Sequence, residues 1–466
     1  MTASAGSIHF VGIAGVGMSG LAEYLNAHGE SVSGSDLNQN ATTRRLAGLG
    51  IAIHQGHQEG NLGDARRVVA STAIAADNPE LVEARRRAIP MIRRGQLLAE
   101  IMEPKRGIAV GGSHGKTTTT SLIGHLLAGA GLDPTSIVGG RVMGTGANLS
   151  GTRVGQSPLL VAEADESDGS FLLLAPAIAV ITNIDPEHLD HYGSFEALED
   201  AFVEFANAIP KDGLAVLCID HPGVRAILPR LTGRRLTYGF DDDANLRASD
   251  PVALGTGSSF TLSLDGRRLG EVALPLPGRH NTLNALAAIA VGLELGIAPE
   301  AAARGLANFA GVERRYQALG TCGNIQVVDD YAHHPAELRA TLEAARSVHS
   351  GRIVSVFQPH RYTRTRDCMD EFASAFGASD VVIISEVYPA GDRPIPGVNG
   401  RVLAEKIAGQ GHGDVRFVAD LERVRAELPS ELAAGDLVLT LGAGDIARLG
   451  GQILERLADE SGEGDA

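Results

Sequence analysis

A chain of 466 residues leaves room for about three domains of ~150 residues each, and an apolar content of 44% supplies more than one core. A formal net charge of −16 offers no basic stripe to match a phosphate backbone, so a general nucleic-acid binder is excluded. No apolar run reaches transmembrane length, the first seven residues lack the basic and apolar regions of a signal peptide, and Cys218, Cys322 and Cys368 show no metal-ligand spacing, which together imply reduced thiols in a cytoplasmic protein with no membrane partner.

In chain order, Ile8–Ile13 reads as a strand, followed by Gly15-Val16-Gly17-Met18-Ser19-Gly20 and a helical run. This is G-x-G-x-x-G in a strand-to-helix setting, with a second strand near Glu30–Ser33 and Asp36 after it. The pattern is that of a Rossmann-type turn that seats a diphosphate at a helix N-terminus, with the acid near a ribose. It leaves open whether the diphosphate belongs to NAD, FAD or a nucleotide sugar, and a glycine turn needed only for close packing is the competing reading. Val68–Ile74 reads as a later strand whose end, at Ser71, opens toward the same crevice. Arg66, Arg67 and Arg85–Arg87 read as solvated helix faces, and Glu103-Pro104-Lys105 as a linker.

Ile108-Ala109-Val110 reads as a buried strand and Thr119–Leu127 as a helix. Between them lies Gly111-Gly112-Ser113-His114-Gly115-Lys116-Thr117-Thr118. Strand, glycine-rich loop and helix form the setting of a phosphate-binding loop, in which backbone N–H groups and the helix N-terminus cradle a polyphosphate. Lys116 is placed to reach the β- and γ-phosphates of ATP, and the Thr117 hydroxyl to ligate Mg²⁺. The general pattern asks for a glycine where this chain has Val110. Pro158–Ala162 reads as the next strand, ending in the carboxylates Glu163, Asp165, Glu166 and Asp168, a setting suited to Mg²⁺ beside phosphates. Ala177–Ile184 delivers Asp185, Glu187 and His188 at another strand end. Further strands follow between residues 214 and 275, including Phe260–Leu264. Gly278-Arg279-His280-Asn281 opens a long helix in which Asn281 and Asn284 share a face.

From about residue 316, strands alternate with helical runs to give a third α/β unit. Ile325–Tyr331 ends in Asp329, Asp330 and Tyr331, followed by His333-His334-Pro335. Ile353–Phe357 leads into Gln358-Pro359-His360-Arg361-Tyr362-Thr363-Arg364-Thr365-Arg366, where the arginines suit a carboxylate or phosphate. His-His-Pro lacks a zinc spacing, and Ala458–Ala466 reads as a disordered acidic tail.

Taken together these stretches resemble the Mur ligase family of peptidoglycan synthesis. The matches run in family order across the whole chain: Gly12–Gly20, Gly112–Thr118, Glu163–Asp168, Thr182-Asn183-Ile184 through His188, Gly278–Asn284, Arg314-Arg315, Asp329–Pro335 and Gln358–Arg364. Ser113 stands where the family usually has Thr, and Ala332 where it usually has Gly. The resemblance implies an α/β fold of three domains: a Rossmann-like one for a UDP sugar (1–105), a central one with the phosphate loop for ATP (106–315) and a Rossmann-like one for the incoming amino acid (316–466). It implies ATP-dependent joining of L-alanine to UDP-N-acetylmuramate through an acyl phosphate. Related ligases acting later carry a lysine after the histidine motif, and none lies between His188 and Lys211.

By the same resemblance, Lys116, His188 and Arg315 carry the chemistry. Gly112, Ser113, His114, Gly115, Lys116, Thr117, Thr118, Asn281, Asn284, Arg315 and Asp330 hold ATP. Thr117, Glu163 and His188 hold Mg²⁺. Gly15, Gly17, Ser19, Gly20, Asp36, Ser71 and His188 serve the UDP sugar, while Tyr331, His333, His334, His360, Arg361 and Arg364 serve the amino acid and acyl end. A recycling ligase that adds a tripeptide, an NAD-dependent dehydrogenase and a nucleotide-binding scaffold are the rival readings. Oligomeric state is not legible from the sequence.

Overall fold

The computed structural model describes residues 6–71, 73–144 and 151–461. Thr72, inside the expected strand 68–74, and the last five residues of the acidic tail lie outside these. By spatial contact the chain divides into two compact units, Met1–Asp250 with Phe260–Val272 and Leu283–Ala310, and Pro251–Ser259 with Ala273–Thr282 and Gly311–Ala466.

The first sheet is built from β1 (Ile8–Val11), β2 (Val32–Asp36), β3 (Ala52–Gln55), β4 (Arg67–Ala70) and β5 (Met91–Arg93) in the order β3-β2-β1-β4-β5. Every neighbouring pair is parallel. The order reverses between β1 and β4, so the loops after these strands diverge and leave a crevice at the carboxyl edge. Arg66 and Arg67 lie at the start of β4, not on a helix, and pair with Glu30 and Glu100.

The second sheet holds ten strands: β6 (Arg106–Gly111), β7 (Thr135–Ile137), β8 (Thr152–Arg153), β9 (Leu159–Glu163), β10 (Ile178–Ile181), β11 (Leu214–Cys218), β12 (Arg235–Gly239), β13 (Leu246–Leu254), β14 (Gly257–Leu264) and β15 (Arg267–Leu274). Their order is β15-β14-β13-β12-β11-β10-β6-β9-β7-β8. β6 sits between β10 and β9, parallel to both, so the loops after these three strands share one edge. Ile108, Ala109 and Val110 are fully buried, as the unbroken apolar run requires of a strand covered on both faces. One apolar cluster runs through the first and second sheets, from Ile8 and Phe10 to Phe171, Phe202 and Phe205. Removing a fully buried ring such as that of Phe202 would cost about 3–5 kcal/mol.

The second unit carries a six-stranded sheet of β16 (Gln317–Cys322), β17 (Ile325–Asp330), β18 (Ile353–Phe357), β19 (Val381–Ile384), β20 (Val415–Phe417) and β21 (Leu437–Leu441), ordered β16-β17-β21-β18-β19-β20. Only β16 runs antiparallel to its neighbour among the printed pairs of this sheet. The helix Leu449–Ser461 continues past Ala458, where a disordered tail was expected. Leu449, Ile453 and Leu457 recur at helical spacing and are buried against this sheet, which holds the last turns in place.

Candidate active site

The loop between β6 and the helix Lys116–Gly129 needs glycine at two points. Gly112 has a φ of 130° and Gly115 a φ of 80°, values that side chains with a Cβ rarely adopt. A Cβ on Gly112 would also run into the Thr182 hydroxyl, and one on Gly115 would lie 2.7 Å from Asn284 Oδ1. The segment after β10 straps the loop down. Thr182 Oγ1 donates to His114 O at 2.7 Å, His114 N donates to Asn183 Oδ1 at 2.7 Å, and Asp185 N donates to Ser113 Oγ at 2.9 Å. Asp185 in turn sits 3.2 Å from both His114 Nε2 and His221 Nε2. Burial would push its carboxyl up, but the two histidines outweigh it and hold Asp185 well below the usual carboxylate range. Thr117 and Thr118 are buried in the first helical turn, and Thr119 Oγ1 donates to Asn284 Oδ1 at 3.0 Å.

Lys116 is turned back over its own loop. Its Nζ donates to Gly112 O at 2.5 Å, Ser113 O at 3.2 Å and Glu166 Oε1 at 2.8 Å. Burial alone would lower its pKa, yet Glu166 reverses the sign and keeps the ammonium charged. Glu166 is almost fully buried, and its second oxygen, Oε2, has no hydrogen-bond partner among the described residues. Ligand atoms of Glu166, Glu187 and His188 lie within 4.8 Å of one another, with His188 Nε2 3.8 Å from Glu166 and 4.0 Å from Glu187. Two carboxylates and an imidazole, one of the carboxylates with an orphaned buried oxygen, make a donor set that fits a divalent cation held jointly by protein and phosphates.

The four carboxylates after β9 therefore divide their tasks. Glu166 faces Lys116. Asp165 pairs with Arg94 at 2.7 Å. Asp168 accepts Ser170 N at 3.0 Å. Glu163 accepts Gly139 N at 2.5 Å.

In the first sheet, Gly15 precedes the helix Val16–Ala27, and Gly15 N donates to Gly12 O at 3.2 Å. Asp36, at the end of β2, accepts Ala14 N at 3.0 Å and so braces the glycine loop. The Ser19 hydroxyl donates back to Val16 O at 3.0 Å. Gly20 packs the helix against Thr152 and Ile137 of the second sheet, and the turn at Ser71 closes beside Gly12. Thus Gly15, Gly17, Asp36 and Ser71 gather at the carboxyl edge of β1, β2 and β4, while Gly20 and the Ser19 hydroxyl serve packing.

In the second unit, Asp330 is buried and accepts Tyr316 N at 2.6 Å and Ala332 N at 2.8 Å; burial pushes its carboxyl up to about 6. Arg314 and Arg315 lie over the Tyr331 ring at 5.1 and 5.2 Å, a cation–π arrangement. Glu337 gathers the neighbouring chain, accepting His333 N at 3.0 Å and His334 N at 3.2 Å, with Arg315 Nη1 3.9 Å away. His334 is the N-cap of the helix Pro335–Val348, and Cys368 Sγ lies 3.8 Å from its Nε2. The His333 and His360 rings are 6.1 Å apart, and His360 stacks on Tyr388 at 5.5 Å and 9°. Burial, and then His333, Arg364 and Arg361, hold the His360 imidazole down at about 4. Arg364 Nη1 is 3.4 Å from His360 Nδ1, whereas Arg366 pairs with Asp367. Asp392 lies 3.4 Å from Arg361 and accepts the Thr363 hydroxyl at 2.7 Å. Asn281 Nδ2 donates to Pro277 O at 2.8 Å. His280 is held down at about 4, chiefly by burial and then by Arg315.

Sequence reasoning gave no role to Glu187, Asn183, Asp185, His221, Glu337, Tyr388 or Asp392. Asn183, Asp185 and Glu187 had a local signal in the strand-end stretch Thr182–His188, and Glu337 in standing three residues after His334, the spacing of a capping box. The others meet their partners from distant loops.

Three family models cover the chain: "Mur ligase family, catalytic domain" at residues 7–106, "Mur ligase middle domain" at 110–292 and "Mur ligase, glutamate ligase domain" at 314–444. The UDP-N-acetylmuramate–L-alanine ligase of Syntrophotalea carbinolica is 50% identical over 451 residues, covering 97% of this chain and 98% of that one. The ligase of the same name from Solidesulfovibrio magneticus is 52% identical over 449 residues, covering 96% and 97%. The crystal structure of a UDP-N-acetylmuramate-alanine ligase from Thermotoga maritima superposes with a TM-score of 0.84 at 31% identity, covering 97% of this chain and 99% of that one. A murein peptide ligase from Psychrobacter arcticus shares the fold, with a TM-score of 0.71 at 24% identity over 99% of both chains.

Proposed function

The chain belongs to the Mur ligase family, and from that premise we propose that it joins L-alanine to the lactyl carboxylate of UDP-N-acetylmuramate in an ATP-dependent reaction of peptidoglycan synthesis. The observation that carries the reading is the buried Glu166, which holds Lys116 charged beside Glu187 and His188 and keeps one oxygen unsatisfied. A carboxylate is a poor electrophile, so phosphoryl transfer from ATP first converts it to an acyl phosphate; the amine of L-alanine then attacks and phosphate leaves. Lys116, released from Glu166, takes the phosphate oxygens as charge develops on them. In the strapped loop of Gly112, Ser113, His114 and Gly115, the Ser113 and His114 N–H groups are taken up by Asn183. Gly115 and the first helical turn, Lys116, Thr117 and Thr118, therefore supply the N–H groups for the phosphates, and Asn284, held by Thr119, serves the nucleotide.

Glu166, Glu187 and His188 would hold Mg²⁺, alongside Thr117 and Glu163. Bound there, the ion supplies charge neutralisation across the transferring group.

The glycine loop, Asp36 and Ser71 hold the UDP sugar. Arg315 serves the γ-phosphate, and Asn281 and Asp330 the nucleotide. Tyr331, His333, His334, His360, Arg361 and Arg364 serve the amino acid and acyl end. The division into 1–105, 106–315 and 316–466 is supported by the three sheets and by the limits of the family models. No helix among the described residues is long and apolar enough to cross a membrane, and the use of ATP supports a cytoplasmic reaction. Phosphate release that requires both UDP-N-acetylmuramate and L-alanine is the expected result. Release driven by L-Ala-γ-D-Glu-diaminopimelate instead would assign the chain to peptide recycling, and release independent of the sugar would overturn the reading of the first sheet.

A further inference from the structure

Arg94 is the first residue of the helix Arg94–Met102, directly after β5. A cation there opposes the helix dipole, which favours negative charge at its N-terminus, so local helix stability does not account for it. Its side chain reaches two places at once. The guanidinium lies against the glycine loop, where a Cβ on Gly17 would stand 2.9 Å from Arg94 Cδ and 3.1 Å from Nη1. Its Nη2 donates to Asp165 Oδ2 at 2.7 Å. The glycine loop is where the first turn of a helix leaves N–H groups for a diphosphate, and it contains no lysine or arginine of its own.

Asp165 is held independently of Arg94. Its Oδ1 accepts Ser167 N at 3.1 Å, and its carbonyl accepts Phe171 N at 3.2 Å. It is also followed by Glu166, the partner of Lys116. The pair is only partly buried, at 23% and 36% side-chain exposure, so the long arginine side chain can leave the fixed carboxylate without exposing a buried charge.

We propose that Arg94 is the cation of the nucleotide-sugar diphosphate site, and that Asp165 holds it in reserve until the diphosphate arrives. This rests on the reading of the first sheet as the UDP-sugar site. The exchange replaces one charge-assisted pair by another, with no change of protonation. A diphosphate presents more charge and more acceptors to a guanidinium fork than one carboxylate does.

A static strut between the loops and a competition for Arg94 predict opposite signs for Asp165. The test is calorimetric titration of the full chain, without ATP, with UDP, UDP-N-acetylglucosamine and UDP-N-acetylmuramate. Arg94→Ala should weaken all three by roughly tenfold or more, with Arg94→Lys recovering part of the loss. Asp165→Asn keeps the acceptor for Ser167 N but drops the charge, and should tighten all three several-fold; a folding defect cannot mimic that gain. Weakening by both Arg94→Ala and Asp165→Asn would overturn the proposal in favour of a strut. A loss in Arg94→Ala confined to UDP-N-acetylmuramate would overturn it in favour of a lactyl-carboxylate contact. If the unsubstituted chain bound none of the three, the reading of the first sheet would itself have failed, which is a different result from either.

Discussion

Glu80 and Glu166 are both buried carboxylates beside the loop edge of a parallel sheet, and their surroundings differ in kind. Glu80, on the helix that follows β4, is fully enclosed. Ser35 Oγ and Asn61 Nδ2 each donate to it at 2.6 Å, His57 Nδ1 lies 3.3 Å away and His9 Nε2 3.6 Å away. Burial would push its pKa up, but His9, Ser35 and Asn61 outweigh that and bring it down to about 2. Glu166 has Lys116 on one oxygen and no hydrogen-bond partner among the described residues on the other. A carboxylate with both oxygens satisfied from within, as in Glu80, stabilises the fold, whereas one with an oxygen left over can take a partner from outside.

The largest test of this contrast is Lys116→Ala, expected to lower kcat by on the order of 10²–10³, as for loss of one transition-state donor. UDP binding should be unaffected, and a fall in UDP affinity of similar size would merge the two regions. Next, Glu166→Gln should raise the Mg²⁺ concentration for half-maximal activity by about 10–100-fold. An unchanged Mg²⁺ dependence would show that the orphaned oxygen does not face the ion. Gly112→Ala places a Cβ at a φ of 130° and against Thr182; it should destabilise by roughly 1–3 kcal/mol in urea unfolding and weaken ATP binding. Glu80→Gln should lower unfolding free energy by about 1–3 kcal/mol, because its donors lose a charged acceptor, while kcat at saturating substrates stays as it was.

The smallest effect is in pH. The Glu80 pKa is depressed on folding, from 4.5 to about 2, so its contribution is complete above pH ~4.5 and is lost as pH falls toward ~2. Glu80→Gln should flatten the unfolding curve in that window alone. An equal slope in both proteins would show that Glu80 is not the group that titrates.

Much of this was legible along the chain because the devices are local. A strand, a glycine turn and a helix occupy consecutive residues, so Gly112–Thr118 and Gly15–Gly20 announce themselves by spacing, and the short apolar run Ile108–Val110, ended by a glycine turn, reads as a doubly covered strand. What stayed hidden depends on loops far apart in sequence. His221 meets Asp185 across 36 residues, Asp392 reaches Thr363 across 29, and Arg94 reaches Asp165 across 71. Such pairs leave no periodicity and no motif. The start of the tail, residues 458–461, was misjudged for a related reason: its acidic composition suggested solvent, but the apolar stripe Leu449, Ile453 and Leu457 just before it had a sheet to bind.

The sequence by itself determined the fold class, the order of the phosphate loop, acidic edge and arginine arm, and the family, because these follow from contiguous patterns. Tertiary structure alone decided which of four neighbouring carboxylates does what. Glu163, Asp165, Glu166 and Asp168 are alike in composition and lie within six residues. Their roles part because β9 and its turn aim each one at a different element: Gly139, Arg94, Lys116 and Ser170. A carboxylate's chemistry is set by what faces it and how much water is excluded, and both are properties of the packed chain.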